Sequence, residues 1–213
     1  MIKAIIFDFD QVILNSYPDH LAAFITTARK FGIKLNPKEV YKKFGKSAKD
    51  ILQELAPSLS DKEIEKFSEE KEKIYRLMAK KNGFKLMPGA KQILRSLVRK
   101  KIKCAISSSA SGKNILLAAN HTGIKKYFSA TVAAEDVKHH KPHPEPLLKA
   151  AKLLRVKPGE CIYVGDSVYE MIAAKRAKML AVGLQTGIYS EKELAKNGAN
   201  KVIKKVSELK KFF

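Results

Sequence analysis

Ile2-Lys3-Ala4-Ile5-Ile6-Phe7-Asp8-Phe9-Asp10 opens the chain with an isoleucine-rich apolar run that ends in two aspartates. Residues 2–8 read as a buried strand, since the run is short, apolar and bounded by charge. It is too brief for a signal peptide and lacks a small-residue cleavage site. Two residues apart on a strand, Asp8 and Asp10 point to one face. They also stand at the strand's carboxyl end, where open α/β sheets place their ligands. Two close carboxylates repel each other, and a hard cation with oxygen ligands offsets that repulsion.

Beyond this strand the pattern turns helical. Leu21, Phe24, Ile25 and Ala28 recur at helical spacing. Asn36-Pro37 reads as an N-cap followed by an N1 proline, and 50–55 as a short helix. Ser60-Asp61-Lys62-Glu63 is a capping box opening a long charged helix to about Lys81. At Met87-Pro88-Gly89 the character changes. A helix with Ile93, Leu94, Leu97 and Val98 on one face leads to a strand at 103–106. Further strands are expected near 130–133, 161–164, 180–184 and 201–203, with helices near 112–119, 145–154 and 168–177. Such alternation predicts a parallel sheet covered by helices on both sides. The expected architecture is α/β: a Rossmann-like parallel sheet of residues 1–15 and 86–213, interrupted by an inserted α-helical cap domain of residues 16–85.

Composition narrows the function classes. Of 213 residues 45% are hydrophobic, enough for a buried core, and no stretch approaches the length of a membrane span. Cys104 and Cys161 form no metal or redox spacing and read as small buried residues in a reducing, cytoplasmic setting. The net charge of +21 raises nucleic-acid binding as an alternative. Its source is dispersed lysine, with few arginines and no aromatics interleaved with the basic runs. The expected partner is a small anionic metabolite, with no specific nucleic acid and no membrane. The chain is expected to be a monomer or a weak homo-oligomer.

Three further stretches carry chemistry. In Gly165-Asp166-Ser167-Val168-Tyr169-Glu170, Asp166 follows an apolar strand, Gly165 permits a tight turn, and a helix would bring Glu170 to the side of Asp166. The alternative there is an Asp166 N-cap with Glu170 solvated. Ser107-Ser108-Ser109 follows the strand Cys104-Ala105-Ile106, where hydroxyls and backbone N–H groups hold a phosphate or simply make a turn. In Lys141-Pro142, the proline holds Lys141 extended, fixing its ammonium. His121, His139, His140 and His143 show no ligand spacing, and His139-His140 reads as loop.

In this order the four stretches resemble the haloacid dehalogenase superfamily. The helical insertion is similar to that of the branch containing phosphoglycolate phosphatase and β-phosphoglucomutase. The resemblance implies a Mg²⁺-dependent phosphatase acting on a small phosphorylated metabolite. Asp8 would be the nucleophile and Asp10 the acid/base. Ser108 would bind the phosphoryl group, with Ser109 beside it, and Lys141 would neutralise it. Asp8, Asp10 (through its carbonyl), Asp166 and Glu170 would hold the metal. The cap would close over the site and select the substrate, with His20, Lys46 (in Gly45-Lys46-Ser47) and Lys71 at positions that touch it. Departures stand at Gln11, where glycine is usual, Asn15, Tyr17 and Glu170. The alternatives are a phosphomutase and a non-catalytic basic binding protein. Dehalogenation is disfavoured by the presence of Asp10.

Overall fold

The computed structural model describes residues 1–213. The chain forms two compact units, Met1–Asn15 with Lys85–Phe213, and Ser16–Phe84.

In the first unit, six parallel strands form one sheet in the order β3-β2-β1-β4-β5-β6. They are β1 (Ala4–Phe7), β2 (Lys103–Ser107), β3 (Ala130–Val132), β4 (Cys161–Gly165), β5 (Leu180–Leu184) and β6 (Lys201–Ile203). The helices of this unit are α5 (Ala90–Arg99), α6 (Gly112–His121), α7 (Glu145–Leu154), α8 (Val168–Arg176) and α9 (Glu191–Lys196). All four β1 residues are buried, as expected of a strand covered on both faces. Ala4, Ile6, Ala105, Tyr163 and Ala181 pack with Leu147 and Ala150 of α7 and Met171 and Ala174 of α8. Strand alternation sends Ile5, Phe7, Ile106, Val164 and Val182 to the opposite face, where they are equally buried.

The chain winds outward from β1 through β2 to β3, then returns to β1's other side and continues through β4. The direction therefore reverses between β1 and β4, the switch point at which such sheets open a ligand crevice. Phe7 pairs in register with Ile106 on one side and Val164 on the other. That register brings the segments after β1, β2 and β4 to one edge.

The second unit holds α1 (Tyr17–Lys30), α2 (Pro37–Tyr41), α3 (Ala48–Leu55) and α4 (Asp61–Asn82). Its core joins Phe24, Val40, Leu52 and Phe67. Asn36 caps α2 through its side chain, and Ser60 and Glu63 close the expected capping box of α4. Helix α3 begins earlier than expected because Ser47 and Asp50 form a second capping box.

Two other expectations shift. Strand β1 stops at Phe7, so Asp8 and Asp10 follow it rather than end it. Asp8 N–H still donates to the Val164 carbonyl at 2.8 Å, but Phe9 accepts from Ile13 and Leu14 N–H and turns the chain. The short helix α9 escaped the sequence pattern, since six residues span too few turns to show a period.

Candidate active site

Lys141 is the hub of the sheet edge. Its Nζ donates to Asp8 Oδ1 at 2.9 Å, to Glu170 Oε1 at 2.5 Å and to the Tyr163 hydroxyl at 3.3 Å. The lysine side chain is 2% exposed and those of Asp8 and Glu170 are 7% and 1% exposed. Tyr163 in turn donates to the Ser107 carbonyl at 3.3 Å, tying β4 to β2. The Lys141–Pro142 peptide is cis.

Glu170 lies beside Asp166, as its spacing on a helix predicted, but not as the solvated residue of the alternative reading. Ser167, not Asp166, occupies the N-cap of α8. Glu170 is buried and turns back: its Oε2 accepts from Asp166 N–H at 2.8 Å and Ser167 N–H at 3.1 Å. The solvated alternative is therefore excluded. One carboxylate oxygen satisfies orphan donors of the helix start while the other meets Lys141. Gly165 is needed for a different reason from the tight turn expected. Its backbone φ is not positive, and a Cβ there would lie 2.2 Å from Glu170 Oε2. The glycine is a space left for the carboxylate.

Carboxylate oxygens of Asp8, Asp166 and Glu170 lie within 4.8 Å of one another, and all three residues are buried. Burial pushes the Asp8 carboxyl up from 3.8 to about 7, the Glu170 charge adds to this, Lys141 opposes it, and Asp10 raises it further. Burial alone would lower Lys141, but the charges of Asp8 and Glu170 outweigh it and hold the ammonium well above its usual value. Three buried carboxylates beside one ammonium leave excess negative charge away from water, which is costly unless a cation or protons offset it. The donors are oxygens, the preference of a hard divalent ion. The buried hydroxyls of Ser107 and Ser167 have no hydrogen-bond partner within the protein, adding polar capacity at this edge.

The other anticipated residues divide between the two units. Asp10 is half-buried and near enough for its charge to act on Asp8. Ser108 is buried; its N–H donates to the Val132 carbonyl at 3.0 Å, and its Oγ accepts from Ala110 N–H at 3.2 Å. It thus makes the turn that local chemistry offered as its alternative. Ser109 follows, half-buried. In the helical unit, Lys71 is buried, 2.9 Å from His20 Nδ1 and 2.8 Å from Glu72 Oε1. His20 stacks on Tyr75, with ring centroids 3.8 Å apart. Burial sets Lys71 apart from the many solvated lysines. Lys46 instead pairs with Glu54, which also binds Lys43 at 2.6 Å.

Several neighbours gave no sequence signal. Tyr163 reads as one more apolar strand residue. Gly187 lies against Asp166, where a Cβ would meet Oδ2 at 2.1 Å. Gln11, at the position where glycine was expected, takes a left-handed φ of 56°, and its carbonyl accepts from Thr186 Oγ1 at 2.6 Å. The backbone thus retains the shape that favours glycine.

Comparison with known proteins bears on the family and the fold. Residues 5–184 match the family model described as haloacid dehalogenase-like hydrolase. A pyrophosphatase of Oceanobacillus iheyensis is 26% identical over 178 residues, covering 84% of this chain and 81% of that protein. The β-phosphoglucomutase structure from Clostridium difficile is 31% identical with a TM-score of 0.86, covering 98% of this chain and 93% of that one. The structure of CbbY from Rhodobacter sphaeroides in complex with phosphate shares the fold, with a TM-score of 0.87 at 22% identity over 98% of this chain and 96% of that one. With its parallel sheet, its helical insertion and a family match spanning most of its length, the chain belongs to the haloacid dehalogenase-like hydrolases.

Proposed function

We propose that the chain is a cytoplasmic Mg²⁺-dependent phosphatase that hydrolyses a small organic phosphate monoester through an aspartyl-phosphate on Asp8. The observation that carries this reading is the buried Asp8 held by Lys141 beside Asp166 and Glu170 at the β1–β4 edge. Phosphatase action also fits the relative named as a pyrophosphatase.

An Asp8 carboxylate oxygen forms a bond to phosphorus as the ester P–O bond breaks. Asp10 gives its proton to the departing alkoxide, so the product leaves as a neutral alcohol. Asp10 then takes a proton from water, whose oxygen attacks phosphorus and displaces Asp8. The products are the alcohol and inorganic phosphate, and both aspartates return to their starting states. Lys141 offsets charge on the phosphoryl oxygens, and Ser108 and Ser109 position that group. Asp8, the Asp10 carbonyl, Asp166 and Glu170 would hold Mg²⁺. When bound, the ion supplies the positive charge that lets a phosphate approach these carboxylates. His20, Lys46 and Lys71 are assigned to substrate contact.

The test is phosphate release from a panel of sugar phosphates, phosphoglycolate, nucleotides and pyrophosphate, with and without EDTA. Release from at least one ester that stops with EDTA, and with Asp8→Asn in a folded protein, is the expected result. Full activity in EDTA, or in the Asp8 variant, would refute the mechanism. A second reading, phosphomutase action, draws on the 31% identity to the β-phosphoglucomutase structure.

A further inference from the structure

His139, His143 and Glu145 are brought together on the surface, although their sequence spacing matches no familiar ligand motif. One imidazole nitrogen from each histidine and a carboxylate oxygen of Glu145 lie within 4.8 Å of one another. The loop that gathers them turns back on itself, with His143 N–H donating to the His140 carbonyl at 2.9 Å. His139 Nδ1 lies 2.8 Å from Glu145 Oε2, and the two imidazoles are 4.7 Å apart between ring centroids.

Glu145 is anchored from behind. Its two oxygens accept backbone N–H bonds from Lys138 at 3.0 Å and His139 at 3.1 Å. Such outer contacts orient ligands in metal centres. The histidines remain adjustable. His139 has 64% of its side chain exposed, and Glu145 N–H donates to His143 Nδ1 at a long 3.2 Å. Tetrahedral zinc with bonds of about 2.0–2.1 Å sets its ligand atoms roughly 3.4 Å apart. Closing to that spacing from within 4.8 Å falls to the two exposed histidines, since Glu145 is anchored.

We propose that His139, His143 and Glu145 form a second cation site, selective for a zinc-class divalent ion and separate from the carboxylate cluster at the sheet edge. The surroundings choose the ion. The chain carries a net charge of +21, and Glu145 begins α7, whose positive dipole end faces the site. Both oppose a cation held by charge alone. Magnesium, which needs hard oxygens and keeps its water, has one carboxylate here. Zinc bonds well to imidazole nitrogen and fits two histidines, one carboxylate and a water.

The site has a structural consequence. His139 and His143 stand two residues on either side of Lys141, which joins Asp8 and Glu170. A bound cation cross-links the loop around that lysine and ties it to the first turn of α7.

The experiment titrates Zn²⁺ by calorimetry into the full chain, stripped with EDTA and then held in millimolar Mg²⁺. One equivalent binds, and hydrogen exchange across residues 138–145 slows. His139→Ala, His143→Ala and Glu145→Gln each weaken binding by about tenfold or more, since losing even an outer contact commonly costs that much. Their urea midpoints stay near the parent's, and Asp166→Asn keeps its zinc affinity. Absence of binding overturns the proposal. So does affinity unchanged in the histidine variants, or lost in Asp166→Asn while they retain it, because the cation would then sit at the carboxylate cluster.

Discussion

Gly187 and Asp166 are in direct apposition: a Cβ on Gly187 would lie 2.1 Å from Asp166 Oδ2 and 3.2 Å from the Asp166 carbonyl oxygen. Asp166 is 2% exposed, so its carboxylate makes way for an added methyl group only by leaving its present position. Gly187→Ala is therefore expected to displace the carboxylate. Displacement by about 1 Å at a reacting site commonly costs roughly 100-fold in rate. Steady-state phosphate release checks this, alongside a circular dichroism spectrum to show that the fold persists. A variant with parental kcat and KM would show that Asp166 tolerates the shift.

Lys141 holds two buried carboxylates, so its removal acts on stability as well as turnover. Lys141→Ala leaves Asp8 and Glu170 without their shared ammonium. Loss of one partner of a buried ion pair costs about 3 kcal/mol or more. Protonation of Asp8, already pushed up to about 7 by burial and Glu170, relieves part of that cost at neutral pH. Urea unfolding at pH 8 should show a larger loss than at pH 6. Turnover should fall by about 100-fold or more, as when a charge-stabilising donor is removed. Equal stability losses at both pH values would contradict this reading.

The two cysteines should be chemically silent in the folded protein. Cys104 and Cys161 are 1% and 0% exposed, and burial pushes their thiols up to about 12 and about 11. Since the thiolate is the reactive form, iodoacetamide at pH 8 should leave both unmodified until guanidinium is added. Below pH 9 the folded and unfolded chains both keep these protons, and their contribution to stability is fully present. Above pH 9 the unfolded thiols ionise first, so stability falls until the folded thiols ionise near 11–12. The alkaline fall in melting temperature should be shallower in Cys104→Ala than in the parent.

Hydrolysis should outrun isomerisation. A mutase must grip the distal phosphate of a sugar bisphosphate, commonly with an arginine just after the Gly-x-Ser of its cap loop. Here Ala48 follows Ser47 and opens α3, and Lys49, one residue later, lies 3.5 Å from Asp61. Lys46 is paired with Glu54. A lysine offers a point charge without the planar fork that holds phosphate in one orientation. With β-glucose 1-phosphate and catalytic 1,6-bisphosphate, inorganic phosphate should accumulate faster than glucose 6-phosphate. The reverse ratio would make the enzyme a mutase.

The elements themselves were written locally. Strands at 161–164 and 180–184 and the Ser60–Glu63 capping box could be read because each depends on residues a few positions apart. The order of Asp8, Ser108, Lys141 and Asp166 along the chain sufficed for the family resemblance. What those side chains do to one another was decided elsewhere. Parallel pairing of β1 with β4 brings Asp8 to α8, and Lys141 closes the pair from 133 positions away. The Ser167-x-x-Glu170 spacing is itself a capping-box pattern that turns Glu170 back onto the helix start, but no local pattern shows that its other oxygen will meet Lys141, or that Gly187 must lack a side chain. The family resemblance marked Lys71, but its burial beside His20 depends on α4 packing against α1. The same holds for His139, His143 and Glu145, whose approach depends on how the loop folds onto the start of α7. Periodicity and capping are energies of neighbouring residues, and the sequence alone expresses them. Burial and charge pairing arise only when distant segments share a desolvated space, so tertiary structure determined the chemistry of these groups.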